Sequence, residues 1–181
     1  LLLDQRFPAP IRIAEHATLP FSLSMRVIRC EAAEWAEGDL DSSLHTAQIS
    51  AFWTVNVVHG GEIRRNEMIW FGIPLFDARH PIPPGHFALD GGAPDASGKF
   101  ICALEGARFW EAPTGDGAWH ALSVDLKPLL EEALAIAQEH GHLEDAAFED
   151  LVLSSFNLGW EVPGPYDAAI EIRSLSFTAG K

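Results

Sequence analysis

The chain has no long apolar run. None of its stretches approaches the roughly 18 to 20 consecutive apolar residues that a membrane-spanning helix requires. Cysteine is nearly absent: Cys30 and Cys102 stand far apart in apolar, strand-like surroundings, and neither has the spacing of a zinc ligand. Two buried free thiols are expected there, with a single disulfide as the alternative. Basic residues are scarce, 12 Lys and Arg against 26 Asp and Glu, for a formal net charge of −14. That balance argues against a nucleic-acid or anionic-membrane partner, either of which requires a basic surface, and is consistent with simple solubility. Phosphate loops, dinucleotide fingerprints and internal repeats are missing too, and no Ser/His/Asp or Cys/His arrangement can be assigned from spacing.

What is present is apolar material in quantity. Hydrophobic residues make up 48 % of 181, enough for the core of a single domain spanning residues 1–181. The first residue is Leu1 rather than Met, so the chain is expected to be a segment excised from a longer or processed protein. A removed signal peptide would fit a secreted or periplasmic location. Nothing in the pattern specifies an oligomeric state.

Alternation with a period of two dominates. It marks strands at Phe21–Ile28, Thr46–His59, Leu151–Glu161 and Ala168–Phe177, and a short one near Ile11–Ile13. Asn66–Asp77 is apolar on both faces and reads as a central strand with a bulge or end at Pro74. Gly60-Gly61 signals a hairpin, and Ala78–Gly98, rich in Pro and Gly, a long loop. Lys99–Leu104, Ala107–Trp110 and Ala118–Leu126 complete the strand candidates. One helix is expected over about 127–140, with Pro128 in its first turn and Gly141 ending it. These elements predict an all-β fold, a two-sheet antiparallel β-sandwich of jelly-roll type with that one α-helix.

The polar faces of these strands carry the functional candidates. If the odd positions of Thr46–His59 are core, then Gln48, Ser50, Phe52, Thr54 and Asn56 face out, joined by Asn157 and Glu161 from the late strand and by Trp70 from the central one. Amides, hydroxyls and one carboxylate beside aromatic rings suit a neutral poly- or oligosaccharide: sugar hydroxyls take paired donors and acceptors, and their apolar faces take a ring. Trp160 is a further ring candidate, although its parity points to the core. Asp90 and Asp95, in a Gly-rich turn, are candidate ligands for a structural calcium; turn chemistry alone also explains them.

In WHALSVDLKPLLEEAL, LVLSSFNLGWEVPG and AAIEIRSLSF the chain resembles the closing third of jelly-roll carbohydrate-active proteins, both binding modules and small endoglycanases. A narrower resemblance is to glycoside hydrolase family 12, which places a nucleophilic Glu shortly before Met-Ile-Trp and an acid/base Glu late in the chain. Glu67 before Met68-Ile69-Trp70, and Glu161 in GWEVPG, carry that resemblance. It implies retaining hydrolysis, with the two carboxyls about 5–5.5 Å apart. The family has one residue between its Glu and the Met, whereas Glu67 adjoins Met68, so alternation points Glu67 away from Trp70 unless a bulge intervenes. The primary reading is a non-catalytic carbohydrate-binding sandwich using Asn157, Glu161, Gln48, Asn56, Trp70 and Trp160. A glycoside hydrolase using Glu161 and Glu67 is the second reading, and a structural or interaction domain is the third.

Overall fold

The computed structural model describes residues 2–36, 40–41, 43–91 and 97–180, without the side chains of residues 65 and 66. Among the described residues, nine strands and one α-helix follow one another: β1 (Leu2–Arg12), β2 (Pro20–Ala32), β3 (Gln48–His59), β4 (Glu62–Asp77), β5 (His86–Leu89), β6 (Phe100–Ala103), β7 (His120–Asp125), α1 (Leu126–Glu139), β8 (Leu151–Glu161) and β9 (Tyr166–Phe177). They form a six-stranded sheet in the order β1-β8-β3-β4-β6-β5 and a three-stranded sheet in the order β7-β2-β9. The expected two-sheet sandwich with one helix is what the chain forms. One pairing departs from the antiparallel expectation: β6 runs parallel to β4. The chain leaves β4, passes over one strand position to β5, and returns to fill the gap as β6, antiparallel to β5.

The core lies between the sheets. Trp53, fully buried at its centre, meets Phe21 edge-on at 4.7 Å, Phe156 at 5.0 Å, Phe71 at 5.9 Å and Phe177 at 6.1 Å between ring centroids. Phe21 and Phe177 belong to the small sheet and the others to the large one, so this cluster joins the two layers. Where the small sheet does not reach, α1 packs against β4 and β6 and buries Leu126, Leu130, Ala133, Leu134 and Ala137. Asp125 caps the helix by accepting from the Lys127 backbone N–H at 3.1 Å and also receives the Leu19 N–H at 2.7 Å. The helix is not long enough to cross a membrane.

Several boundaries differ from expectation for identifiable reasons. The lead-in is a full edge strand, because Leu2–Arg6 pair with β8 before the register breaks between Arg6 and Ile11, around Pro8 and Pro10. Ala107–Trp110 is no strand; Gly106–Arg108 form a 3-10 turn. The long loop contains β5, whose pairing with β6 leaves no local signature. Gly60 and Gly61, at φ of 60° and 87°, make the hairpin that the sequence announces. Both cysteines are free; Cys30 is half-buried, and Cys102 is buried, with its thiol pushed up to about 12 by burial and then by the charge of Glu132.

Trp53→Ala is expected to lower unfolding free energy by about 3–5 kcal/mol, since the ring contacts both layers and the cavity cannot collapse. Urea denaturation followed by circular dichroism measures this, and a loss under about 1 kcal/mol would contradict the role given to the ring.

Candidate functional site

The outer face of the six-stranded sheet is built by register. Gln48 on β3 sits opposite Glu161 on β8 and Asp77 on β4. Four residues further along, one row reads Asp4, Asn157, Phe52, Gly72, Ala103 and His86 across all six strands. The neighbouring row reads Arg6, Ser155, Thr54, Trp70, Ile101 and Ala88. Two bulges decide which residues reach this face. The register of β8 slips against β3 between Thr54 and Val55, so Leu151 and Leu153 are fully buried while Ser155 and Asn157 beyond the slip look outward. A second slip, between Ile49 and Ser50, accommodates the extra residue after Pro74. Trp110 Nε1 donates to the Pro74 carbonyl at 3.0 Å and the Thr114 hydroxyl to that of Leu75 at 2.7 Å, so both carbonyls at the slip have side-chain donors.

A groove of about 440 Å³ crosses this face, within the size range of small-ligand sites. Its floor carries Ser50, Phe52, Trp70, Ile101 and Ala103; Gln48 and Glu161 border one end, and the Pro83-Pro84-Gly85-His86 segment borders the other. Gln48 Nε2 donates to Glu161 Oε2 at 2.7 Å, which leaves Glu161 Oε1 and the Gln48 carbonyl for a ligand. Phe52 and Trp70 lie 5.1 Å apart, their planes inclined by 42°. A Cβ added to Gly72 would fall 2.5 Å from Cε1 and 2.9 Å from Cδ1 of Phe52, so that ring lies across the strand at the place where a side chain would otherwise stand.

Asp77, in the groove wall, is committed elsewhere. Its Oδ1 accepts from the Thr46 hydroxyl at 3.0 Å and from Arg79 N and Nε at 2.9 and 3.0 Å; its Oδ2 accepts from Arg79 Nη2 at 2.7 Å. Burial pushes this carboxyl up, but the hydrogen bonds from the Arg79 side chain and backbone and from Thr46, with the charge of Arg79, outweigh it and hold the carboxyl below the ordinary range. Asp77 is therefore an ionised wall group rather than a proton donor.

The structure brings together Gln48, Glu161 and Trp70 in the groove and places Asn157 on the same face, beside Phe52. It moves three other candidates away. Asn56 is buried and accepts from the Ser154 hydroxyl at 2.6 Å, because the slip in β8 turns Ser154 toward it. Trp160 faces the inter-sheet side as its parity requires, against Ile49, Ile170 and Ile172, with Phe76 packed edge-on at 5.7 Å. Glu67 pairs with Arg64 at 2.8 Å beside His59 and His142, in a separate cleft. Met68, its neighbour, is opposite Asn56, eight residues along β3 from Gln48, so about 25 Å of strand separates it from the Glu161 end at ~3.3 Å per residue. A bulge does intervene before Met68, between Asn56 and Val57, but it falls at the far end of the strand and Glu67 does not face Glu161. As for calcium, Asp90 Oδ2 accepts from the Ser97 N–H and hydroxyl at 2.9 and 2.5 Å, the pattern of a side-chain-closed turn, and Asp95 lies outside the described residues. No cluster of three or more potential metal ligands occurs among the described residues.

Around the Pro-rich loop, sequence reading offers His80, His86, Asp77 and Asp90 only as metal-ligand candidates without recognisable spacing; it does not place Asp77, Arg79 and His86 in the groove, nor Asp4 and Arg6 on the edge strand. The pairing of β1 with β8 depends on contacts about 150 residues apart, and no local pattern encodes it.

Neither a protein-family model nor a curated protein sequence matches the chain. Solved structures do. A family 12 xyloglucanase from Bacillus licheniformis superposes with a TM-score of 0.53 at 10 % identity, over 98 % of this chain and 73 % of that one. A thermostable cellulase derived from that of Rhodothermus marinus gives 0.52 at 16 % identity, over 98 % and 71 %. An endo-1,4-β-glucanase gives 0.51 at 15 % identity, over 96 % and 67 %. The fold is that of glycoside hydrolase family 12. At these identities the family 12 likeness is one of architecture, and the chemistry of this chain rests on its own groove.

The ion pair in the groove wall makes a pH prediction. A carboxyl that titrates lower folded than unfolded contributes its full stability above the unfolded value, near 3.8, and loses it as the pH falls through the folded value. Asp77→Asn is expected to be less stable than the parent by about 1–3 kcal/mol at pH 7, with the gap closing below about pH 4. Thermal melts at stepped pH test this; a gap that does not change with pH would show that the charge of Asp77 is not what stabilises the wall.

Proposed function

We propose that the protein binds a neutral glycan in the groove of its six-stranded sheet and does not hydrolyse it. The observation that carries this reading is the composition of the groove. Two adjacent aromatic rings form its floor, a Gln48–Glu161 pair stands at one end, and the only other carboxylate among the described lining residues, Asp77, is fully engaged by Arg79 and Thr46. Aromatic floors take the apolar faces of sugar rings, while amide and carboxylate oxygens take hydroxyls. The charges in the groove, Asp77 against Arg79 and Glu161 alone, give no surplus of cation to hold an acidic sugar.

Retaining hydrolysis needs a second carboxylate about 5–5.5 Å from the acid. Glu67 stands in another cleft, and at the family's spacing, two residues before Met68, this chain has Asn66, whose amide is no nucleophile. The superposed proteins are a xyloglucanase, a cellulase and an endoglucanase, and that supports a polysaccharide rather than another ligand as the class bound here.

Affinity electrophoresis through gels containing hydroxyethyl cellulose, xyloglucan or galactomannan, run beside a reducing-end assay, tests the reading. Retention without release of reducing ends is expected, weakened severalfold by Glu161→Gln and by Gln48→Ala. Release of reducing ends that Glu161→Gln abolishes would replace this reading with a hydrolase, and no retention on any of the three polymers would remove it.

A further inference from the structure

The geometry points to Phe52 as the stacking floor for one sugar ring of the bound glycan, with Gly72 as the positioning residue that lays it flat. This rests on the glycan-binding reading above. Side chains on a sheet ordinarily stand roughly perpendicular to it. Phe52 instead lies over β4, with its Cε1 and Cδ1 in the space that a Gly72 Cβ would occupy. Ala103, the next residue in that row, is small as well, and its own Cβ would be 3.2 Å from a Cβ at Gly72. Gly72 and Ala103 thus leave space in the row that the Phe52 ring occupies, with Trp70 5.1 Å away.

Gly72 is not there for its backbone freedom. It pairs in register with both Phe52 and Ala103 inside the large sheet, and glycine weakens a strand interior. Its φ lies outside the left-handed region that favours glycine, so the constraint at this position is space. A ring drawn over a glycine in this way can turn its π face to the groove, and such a face matches the axial C–H surface of a pyranose. Asn157 in the same row and Ser50, Gln48 and Glu161 beyond it lie on the side of the ring where sugar hydroxyls would project.

A cross-strand aromatic also simply covers a glycine in some sheets, a role that needs bulk but not an uncovered face. The two roles predict different variants. As a floor, Phe52 is replaceable by Tyr but not by Leu, and Gly72→Ala is as harmful to binding as Phe52→Leu because the new methyl lifts the ring. The double variant then binds no worse than either single one, since both act on the same floor. Retention coefficients on whichever of the three polysaccharides above holds the parent protein, measured beside urea denaturation of each variant, distinguish them. A loss of about tenfold in affinity is expected for Phe52→Leu and for Gly72→Ala, near-parental affinity for Phe52→Tyr, and affinities that do not track the stabilities. Parental affinity in Phe52→Leu or in Gly72→Ala would overturn the stacking role while leaving the glycan reading intact. Affinity that falls only in proportion to unfolding would overturn the stacking role in the same way. A parent protein retained by none of the polymers would overturn both together.

Discussion

Burial of Trp53 is the constraint to which the other parts of the molecule answer. Its indole is reached by Phe21 and Phe177 from the small sheet and by Phe71 and Phe156 from the large one. A three-stranded layer cannot cover a six-stranded one, and the difference is made up by α1 over β4 and β6. Because the inner face is consumed by this packing, whatever the large sheet offers to a ligand must come from its outer face. The register of β3, at the middle of that sheet, sets which residues those are.

Bulges convert that register into a site. A strict two-residue alternation along β8 would expose Leu151 and Leu153 together with Asn157. The slip beside Ser154 lets the strand bury its first half on the core side and present polar residues in its second half. The extra residue after Pro74 likewise brings Asp77 level with Gln48, so the wall and the acid-bearing rim of the groove share one β3 residue between them. The groove is thus composed by irregularities in otherwise regular strands.

That composition explains how much is readable from residues alone. Alternation is enough to find β2, β3, β8 and most of β9, because half-buried strands must alternate, and an apolar run on both faces is enough to find most of β4; with the helix signals these give the sandwich. Alternation is also enough to place Gln48, Trp70 and Glu161 outward and to point Trp160 inward. It fails at Asn56, which by parity faces out but is buried against Ser154 at the slip. At Glu67 it is the motif match that misleads, not alternation: a motif says nothing about which end of a sheet a strand position will occupy, and Met68 pairs with Asn56, far along β3 from Gln48. The role of Asp77 as a paired wall group is not legible because its partners Arg79 and Thr46 converge only in three dimensions. The edge strand β1 and the short β5 have too little periodic content to stand out from their Pro-rich surroundings.

The closing pair of strands has a consequence for how the chain comes off the ribosome. β8 sits between β1 and β3, and β9 is the partner of β2, so strands made early in this stretch are completed by strands made late in it. Until residues 151–177 have emerged, β1 has no neighbour in its sheet and β2 has only β7. Translation at about 5–20 residues per second therefore leaves a nascent chain with bare apolar strand edges for several seconds, the interval in which holding chaperones act.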